Sequence, residues 1–61
     1  APNGTTPLMM AARYGAEPTV DLLLARGADR KRRNAQGLDA AAFARLGGRE
    51  PLAARLAANA N

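Results

Sequence analysis

The sequence predicts an all-α fold built from two helix-turn-helix units, and three observations carry that reading. Proline and glycine cut the 61 residues into four short segments with helical apolar spacing. Alanine dominates the apolar content and Tyr14 and Phe43 are the only aromatic residues, which suits thin, closely packed helices better than a sheet of β-branched side chains. The punctuation then repeats. An offset of 33 residues places Gly4 on Gly37, Ala11 on Ala44, Gly15 on Gly48, Glu17 on Glu50, Pro18 on Pro51, Leu23 on Leu56 and Ala25 on Ala58.

Thr6 followed by Pro7 opens the first segment, because the hydroxyl accepts an orphan backbone N–H and proline fits the first turn; Gly15 stops it, giving a helix over Pro7 to Tyr14. Pro18 opens the second, Val20, Leu23 and Leu24 share one face, and Gly27 closes it after Arg26 by allowing a left-handed residue. The polar stretch from Gly27 to Gly37 has no helical stripe and reads as an extended turn or hairpin. Asp39 caps a third helix from Ala40 to Leu46, ended by Gly47 and Gly48. Pro51 begins a fourth that runs to Ala58, with Leu52 and Leu56 one turn apart and Asn59 and Asn61 as its stop.

A chain this short buries only about 60% of the surface its unfolded form exposes, so its core is expected to be thin. With no cysteine and no histidine it has neither a disulfide nor a Cys/His zinc site to support it, and the missing cysteine identifies no redox compartment. The longest apolar run, Val20 to Ala25, is interrupted by Asp21 and falls far short of the roughly 20 residues that span a bilayer.

In its first copy the chain resembles the ankyrin-repeat family, through Gly4-Thr5-Thr6-Pro7-Leu8, Ala11-Ala12, Gly15, Val20, Leu22-Leu23-Leu24 and Gly27-Ala28-Asp29 at that family's period. The resemblance implies an ankyrin-type solenoid fragment of two repeats joined by a hairpin-like basic loop. Residues 1–33 form one repeat with its trailing basic loop, and 34–61 a degenerate C-terminal capping repeat. Met9 stands where the family usually has histidine, which removes a hydrogen-bonding side chain from the turn. Arg30 stands where an aliphatic residue is usual. In the second copy Thr-Pro-Leu becomes Asp39-Ala40-Ala41, and Arg55 and Ala57 replace the outer leucines, a polar face suited to a repeat that meets water. Leu8 and the helix carrying Val20 lack an upstream repeat. Since about three repeats make a stable array, the segment is expected to belong to a longer array or to self-associate.

Catalysis is not expected. The commonest general base and the most nucleophilic side chain are absent, and Glu17, Asp21, Asp29, Asp39 and Glu50 are scattered among turns and caps, where Asp39 caps a helix and Glu17 and Glu50 favour the positive ends of helix dipoles. The glycines match no phosphate-binding loop and no cofactor is implied. Leu8, Met9, Met10 and Leu22 to Leu24 read as core, with the methionines filling gaps.

What stands out is Arg30-Lys31-Arg32-Arg33 in a chain of net charge +4. A solvated loop is the plain account of such a run; the functional one is a protein-protein interaction or scaffolding surface for a partner with an acidic face, with nucleic acid the alternative. By the family resemblance, Arg13 and Tyr14 line the concave side, and Asn3, Thr5, Gln36 and Leu38 lie on the fingers, which gives ten candidate protein-binding residues with Arg30 to Arg33. Two rivals remain: a small basic helical nucleic-acid binder, disfavoured because the charge sits in a loop and not along a recognition helix, and a purely structural end cap.

Overall fold

A computed structural model of the chain describes residues 3–58, which form four α-helices: α1 (Pro7–Tyr14), α2 (Glu17–Ala25), α3 (Ala40–Leu46) and α4 (Glu50–Ala58). No strand occurs among the described residues, and the stop proposed at Asn59 and Asn61 lies outside them. Helices α2 and α4 start one residue before the expected prolines, and α2 ends at Ala25, so Arg26 is its cap. A proline is as well tolerated at the second helical position as at the first, since neither N–H has an intrahelical partner.

Local chemistry explains each boundary. Thr6 Oγ1 accepts the Met9 N–H at 3.2 Å, and the Thr6 N–H donates in return to Met9 Sδ at 3.3 Å, closing a capping box with sulfur as the second acceptor. This corrects the expectation that Met9 leaves the turn without a side-chain acceptor. Asp39 Oδ1 caps α3 by accepting the Ala42 N–H at 2.9 Å. Helix α2 has no side-chain cap; Glu17 in its first turn offsets this through the helix dipole.

Both α2 and α3 end in Schellman motifs. The Gly27 N–H donates to the Leu24 carbonyl and Ala28 to Leu23; Gly48 donates to Arg45 and Arg49 to Ala44. Gly27 and Gly48 accordingly take left-handed φ values of +90° and +73°. Gly15, the sequence counterpart of Gly48, does not: it caps α1 in extended conformation, with the Ala11 carbonyl accepting its N–H at 2.8 Å. The equivalent glycines thus stop their helices in two different ways, and α1 runs one residue further than its copy.

Helix α3 packs on both α1 and α4, and α1 packs on α2. Leu8, Met9, Val20, Phe43, Leu52 and Leu56 supply the bulk of the core, with Ala11, Ala12, Ala40, Ala41, Ala44 and Ala53 between them. Leu23 and Leu56 hold the same position in α2 and α4. Of the open side expected at Leu8 and the helix carrying Val20, Leu8 is fully buried, and so is Val20 itself. The open apolar surface is instead Met10, 47% exposed, and Leu22, 49% exposed, both read from the sequence as core. Of their counterparts, Phe43 is buried in the core and Arg55 reaches α2, so the physical reason is position: nothing among the described residues covers the leading side of α1 and α2.

Arg55 departs from its expected placement too. It does not turn its charge outward to water but reaches back to α2, its Nη1 and Nη2 each 2.6 Å from Glu17 Oε1 and Asp21 Oδ1. The Asp21 carboxylate first, then Glu17, hold the guanidinium above its ordinary pKa, so it stays charged at any accessible pH. Because all three side chains are about half exposed, solvent screens the pairs, and they set the placement of α4 against α2 more than they hold it.

At the other end of the helices the repeats meet backbone to backbone. A Cβ on Gly47 would overlap the Arg13 carbonyl oxygen, and Arg49 Nη1 donates to the Ala11 and Ala12 carbonyls at 3.2 and 3.1 Å, capping α1 with positive charge.

Two stability outcomes follow from these contacts. Gly47→Ala, which must force α3 away from α1, is expected to destabilise by about 1–3 kcal/mol, more than the ~0.4–1 kcal/mol that a glycine replacement returns through the unfolded state. At about 4–8 °C per kcal/mol for a domain of this size, thermal unfolding resolves it easily. Met9→Leu keeps the volume and deletes the sulfur acceptor, and is expected to cost about 1 kcal/mol by urea titration; an unchanged midpoint would show that the Thr6 N–H does not need the sulfur.

Candidate protein-binding surface

The fingers are organised by one residue. Asn34 is the buried polar side chain of the structure, 7% exposed, and every hydrogen-bonding group it has is engaged. Its Oδ1 accepts the Gln36 and Leu38 N–H groups at 2.9 and 3.1 Å, and its Nδ2 donates to Thr5 Oγ1 at 3.3 Å. Its own N–H donates to the Leu38 carbonyl at 3.0 Å, while its carbonyl accepts the Gly37 N–H at 2.9 Å. The result is a closed turn, with Gly37 at φ +79° where a side chain would be strained. Gly4 repeats that φ in the first finger, and Ala35 N–H donates to the Asn3 carbonyl at 2.8 Å, joining finger to finger.

Asn3, Thr5, Gln36 and Leu38 therefore belong to one hydrogen-bonded unit: Asn3 and Gln36 are exposed, Thr5 is half-buried against Asn34, and Leu38 is half-buried against the core. The basic run leads directly into it. Asp29 Oδ1 accepts the Lys31 N–H at 2.9 Å, fixing the start of the run as a local side-chain turn. Lys31, Arg32 and Arg33 are exposed and Arg30 is half-buried; among the described residues none of the four is in an ion pair.

Arg13 and Tyr14 lie elsewhere. They close the far end of α1, a helix of eight residues or about 12 Å, from the fingers at its start. Arg13 stacks over the Tyr14 ring, 5.0 Å from its centroid, and Tyr14 is 69% exposed. The candidate residues thus form two groups at opposite ends of one helix, the fingers with the basic run and the Arg13/Tyr14 pair.

Sequence reasoning missed Asn34, Arg49 and Arg55. Asn34 had a signal: an asparagine three residues before a turn glycine is a candidate for bonding to its own following backbone. Arg49 and Arg55 had none, since nothing local says which helix lies across from them. The acids were read as scattered among turns and caps, yet Glu17 and Asp21, one turn apart on α2, converge on Arg55.

An apolar pocket of about 260 Å³ opens between the two helix ends of the first repeat, lined by Leu8, Leu23 and Ala28 with Arg32 at its edge. Among the described residues no group of three or more His, Cys, Asp or Glu side chains is placed to hold a metal ion. No helix among them is long and apolar enough to cross a membrane.

The family model for the ankyrin repeat matches residues 3–35. No curated protein and no solved structure matches the chain. The matched residues run from the first finger through α1, α2 and the basic run to the start of the second finger, and they include the capping box, both left-handed glycines of that stretch and the buried Asn34. Ankyrin repeats as a family mediate protein-protein interactions. With more than half its length matched and its helices paired at the family's period, the chain belongs to the ankyrin-repeat family.

Proposed function

We propose that this chain is a non-enzymatic binding module that presents a partly basic surface to a protein with an acidic face. The observation that carries the reading is the contrast between the acids and the bases. Glu17 and Asp21 are taken by Arg55, Glu50 lies 3.9 Å from Arg45, Asp39 caps α3 and Asp29 accepts the Lys31 N–H. Arg30, Lys31, Arg32 and Arg33 have no such partner among the described residues, and they stand beside fingers held in one shape by Asn34. Charge carried on a preordered loop steers an oppositely charged partner and loses little conformational entropy on binding. Arg13 and Tyr14, residue types that often dominate interfaces, extend the surface along α1.

Within this reading residues 1–33 are the recognition repeat, and 34–61 cap it. Most outward residues of the second repeat, among them Arg45, Glu50, Ala54 and Ala57, are charged or small and face solvent, with Leu46 the large apolar exception. The opposite side, with Met10 and Leu22 exposed, is where a neighbouring repeat or a second copy would stack.

Reversing Lys31 and Arg32 to glutamate is expected to slow association with the partner and flatten its salt dependence, while stability shifts by no more than about 0.5 kcal/mol, the usual range for exposed sites. The immobilised chain and its reversal variant are compared in nuclease-treated lysate of the source cell. Retention of the same proteins by both would reject the basic surface; binding that disappears with nuclease would assign it to nucleic acid, whose affinity falls linearly with salt on logarithmic axes. Asn34→Ala leaves the net charge unchanged but unfastens the fingers, and is expected to weaken the same interaction chiefly through a faster off-rate, with a stability loss of about 1–3 kcal/mol from the donors left unsatisfied.

A further inference from the structure

The two asparagines that join the fingers stand in opposite chemical situations. Asn34 is buried, and its side-chain carbonyl oxygen is held by two N–H groups. The backbone nitrogen that follows it, that of Ala35, already donates to the Asn3 carbonyl at 2.8 Å and carries a Cβ beside it. Asn3 is exposed and is followed by Gly4, which has no Cβ; among the described residues no acceptor takes the Gly4 N–H. Asn3 Oδ1 accepts the Thr5 N–H at 3.1 Å, which folds the side chain back along its own main chain and leaves a donor on the oxygen that becomes negative when the amide carbon is attacked.

We propose that Asn3-Gly4 is a site of spontaneous deamidation and that its conversion unfastens the first finger from the second. The Gly4 backbone nitrogen, losing its proton to a solvent base, attacks Asn3 Cγ. The N–Cγ bond forms, the Cγ–Nδ2 bond breaks, and the amide leaves as ammonia after taking a proton from water, with a cyclic imide left in the chain. Water then opens the imide at one of its two carbonyls. Cleavage at Cγ gives aspartate, and cleavage at the former main-chain carbonyl gives isoaspartate, in which the backbone runs through the side chain. Overall one water is consumed and one ammonia released, and no oxidant or reductant takes part. Either product removes one unit from the net charge of +4 and sets a carboxylate beside the basic run. Isoaspartate also adds a methylene to the main chain and displaces the carbonyl that holds the Ala35 N–H, the contact that keeps the second finger in register with the first.

The folded chain, held at mildly alkaline pH, is digested and its peptides are weighed and offered to an isoaspartyl methyltransferase. The expected result is the amide-to-acid mass gain in the peptide carrying residue 3, with a methyl-accepting fraction, and an intact Asn34. In the isoaspartyl form, separated by cation exchange, the Ala35 amide hydrogen is expected to exchange faster than in the parent. An unmodified residue 3, or conversion of Asn34 alongside it in the folded chain, overturns the site. Unchanged Ala35 protection in the isoaspartyl form overturns its effect on the fingers. Asn3→Gln, which keeps an amide but must close a larger ring, is expected to lose the mass gain; a gain that persisted there would place the chemistry elsewhere.

Discussion

The close approach of α1 and α3 is the constraint on which the other contacts between the repeats depend. Ala11, Ala12, Ala40, Ala41 and Ala44 are all buried along the two helices, and Gly47 lies against the Arg13 carbonyl, so main chain meets main chain with almost no side-chain thickness between. Only at that separation does the Arg49 guanidinium reach two carbonyls of α1, and only then does Ala35 in the second finger meet Asn3 in the first. Small side chains contribute little apolar area each, at about 25 cal/mol per Å². The stabilising area comes from six larger residues, Leu8, Met9, Val20, Phe43, Leu52 and Leu56, gathered around the alanine seam. The seam fixes geometry, and the larger residues supply most of the burial.

What could be read from the sequence is what is local. Thr6 and Asp39 cap the helices they were expected to cap, and Gly4, Gly27 and Gly37 take the left-handed backbone that makes glycine necessary at their turns. Such features depend on a residue and its next few neighbours, and all of those are present in the string. The failures are contacts across the repeat. Met10 and Phe43 sit at the same place in their helices, yet one is half exposed and the other 6% exposed, because burial there is decided by the repeat on the leading side. Helical periodicity says which residues share a face and is silent about what covers it. Gly15 and Gly48 make a subtler case: the same residue at the same period stops one helix in extended conformation and the other in a left-handed one. Of the candidate surface, the finger residues were placed by the family resemblance and Arg13 and Tyr14 by the helix expected over Pro7 to Tyr14, whereas the hydrogen bonds that tie finger to finger through Asn34 and Ala35 needed the fold.

Charge is distributed by a division of labour that a net value conceals. Each acid does intramolecular work, in a cap, a turn or an ion pair, and Arg49 and Arg55 spend their charge on α1 and α2. Apart from Arg13 and Arg26 at the ends of α1 and α2, the cations left over among the described residues are gathered in one loop. A structural requirement would place cations near helix C-termini or opposite carboxylates, as at Arg49 and Arg55. Arg30 to Arg33 meet neither condition among the described residues.

The internal repeat also supplies its own control for the leading side of α1 and α2. Each residue there has a counterpart 33 positions later whose surroundings are visible: Phe43 for Met10, Leu52 for Thr19, Arg55 for Leu22, Leu56 for Leu23. In the second repeat Arg55 reaches across to α2, and Phe43, Leu52 and Leu56 are buried. In the first repeat Thr19 is exposed and Leu23 is only half-buried, although Leu23 holds the same helical position as Leu56. The sharpest difference is Leu22 for Arg55. An arginine at that position needs the two carboxylates that Glu17 and Asp21 provide across the seam, whereas a leucine needs an apolar neighbour. A repeat or copy stacked on the leading side would therefore have to meet Leu22 with apolar surface, so the ion pairs that join the first repeat to the second cannot be the rule for the next contact along.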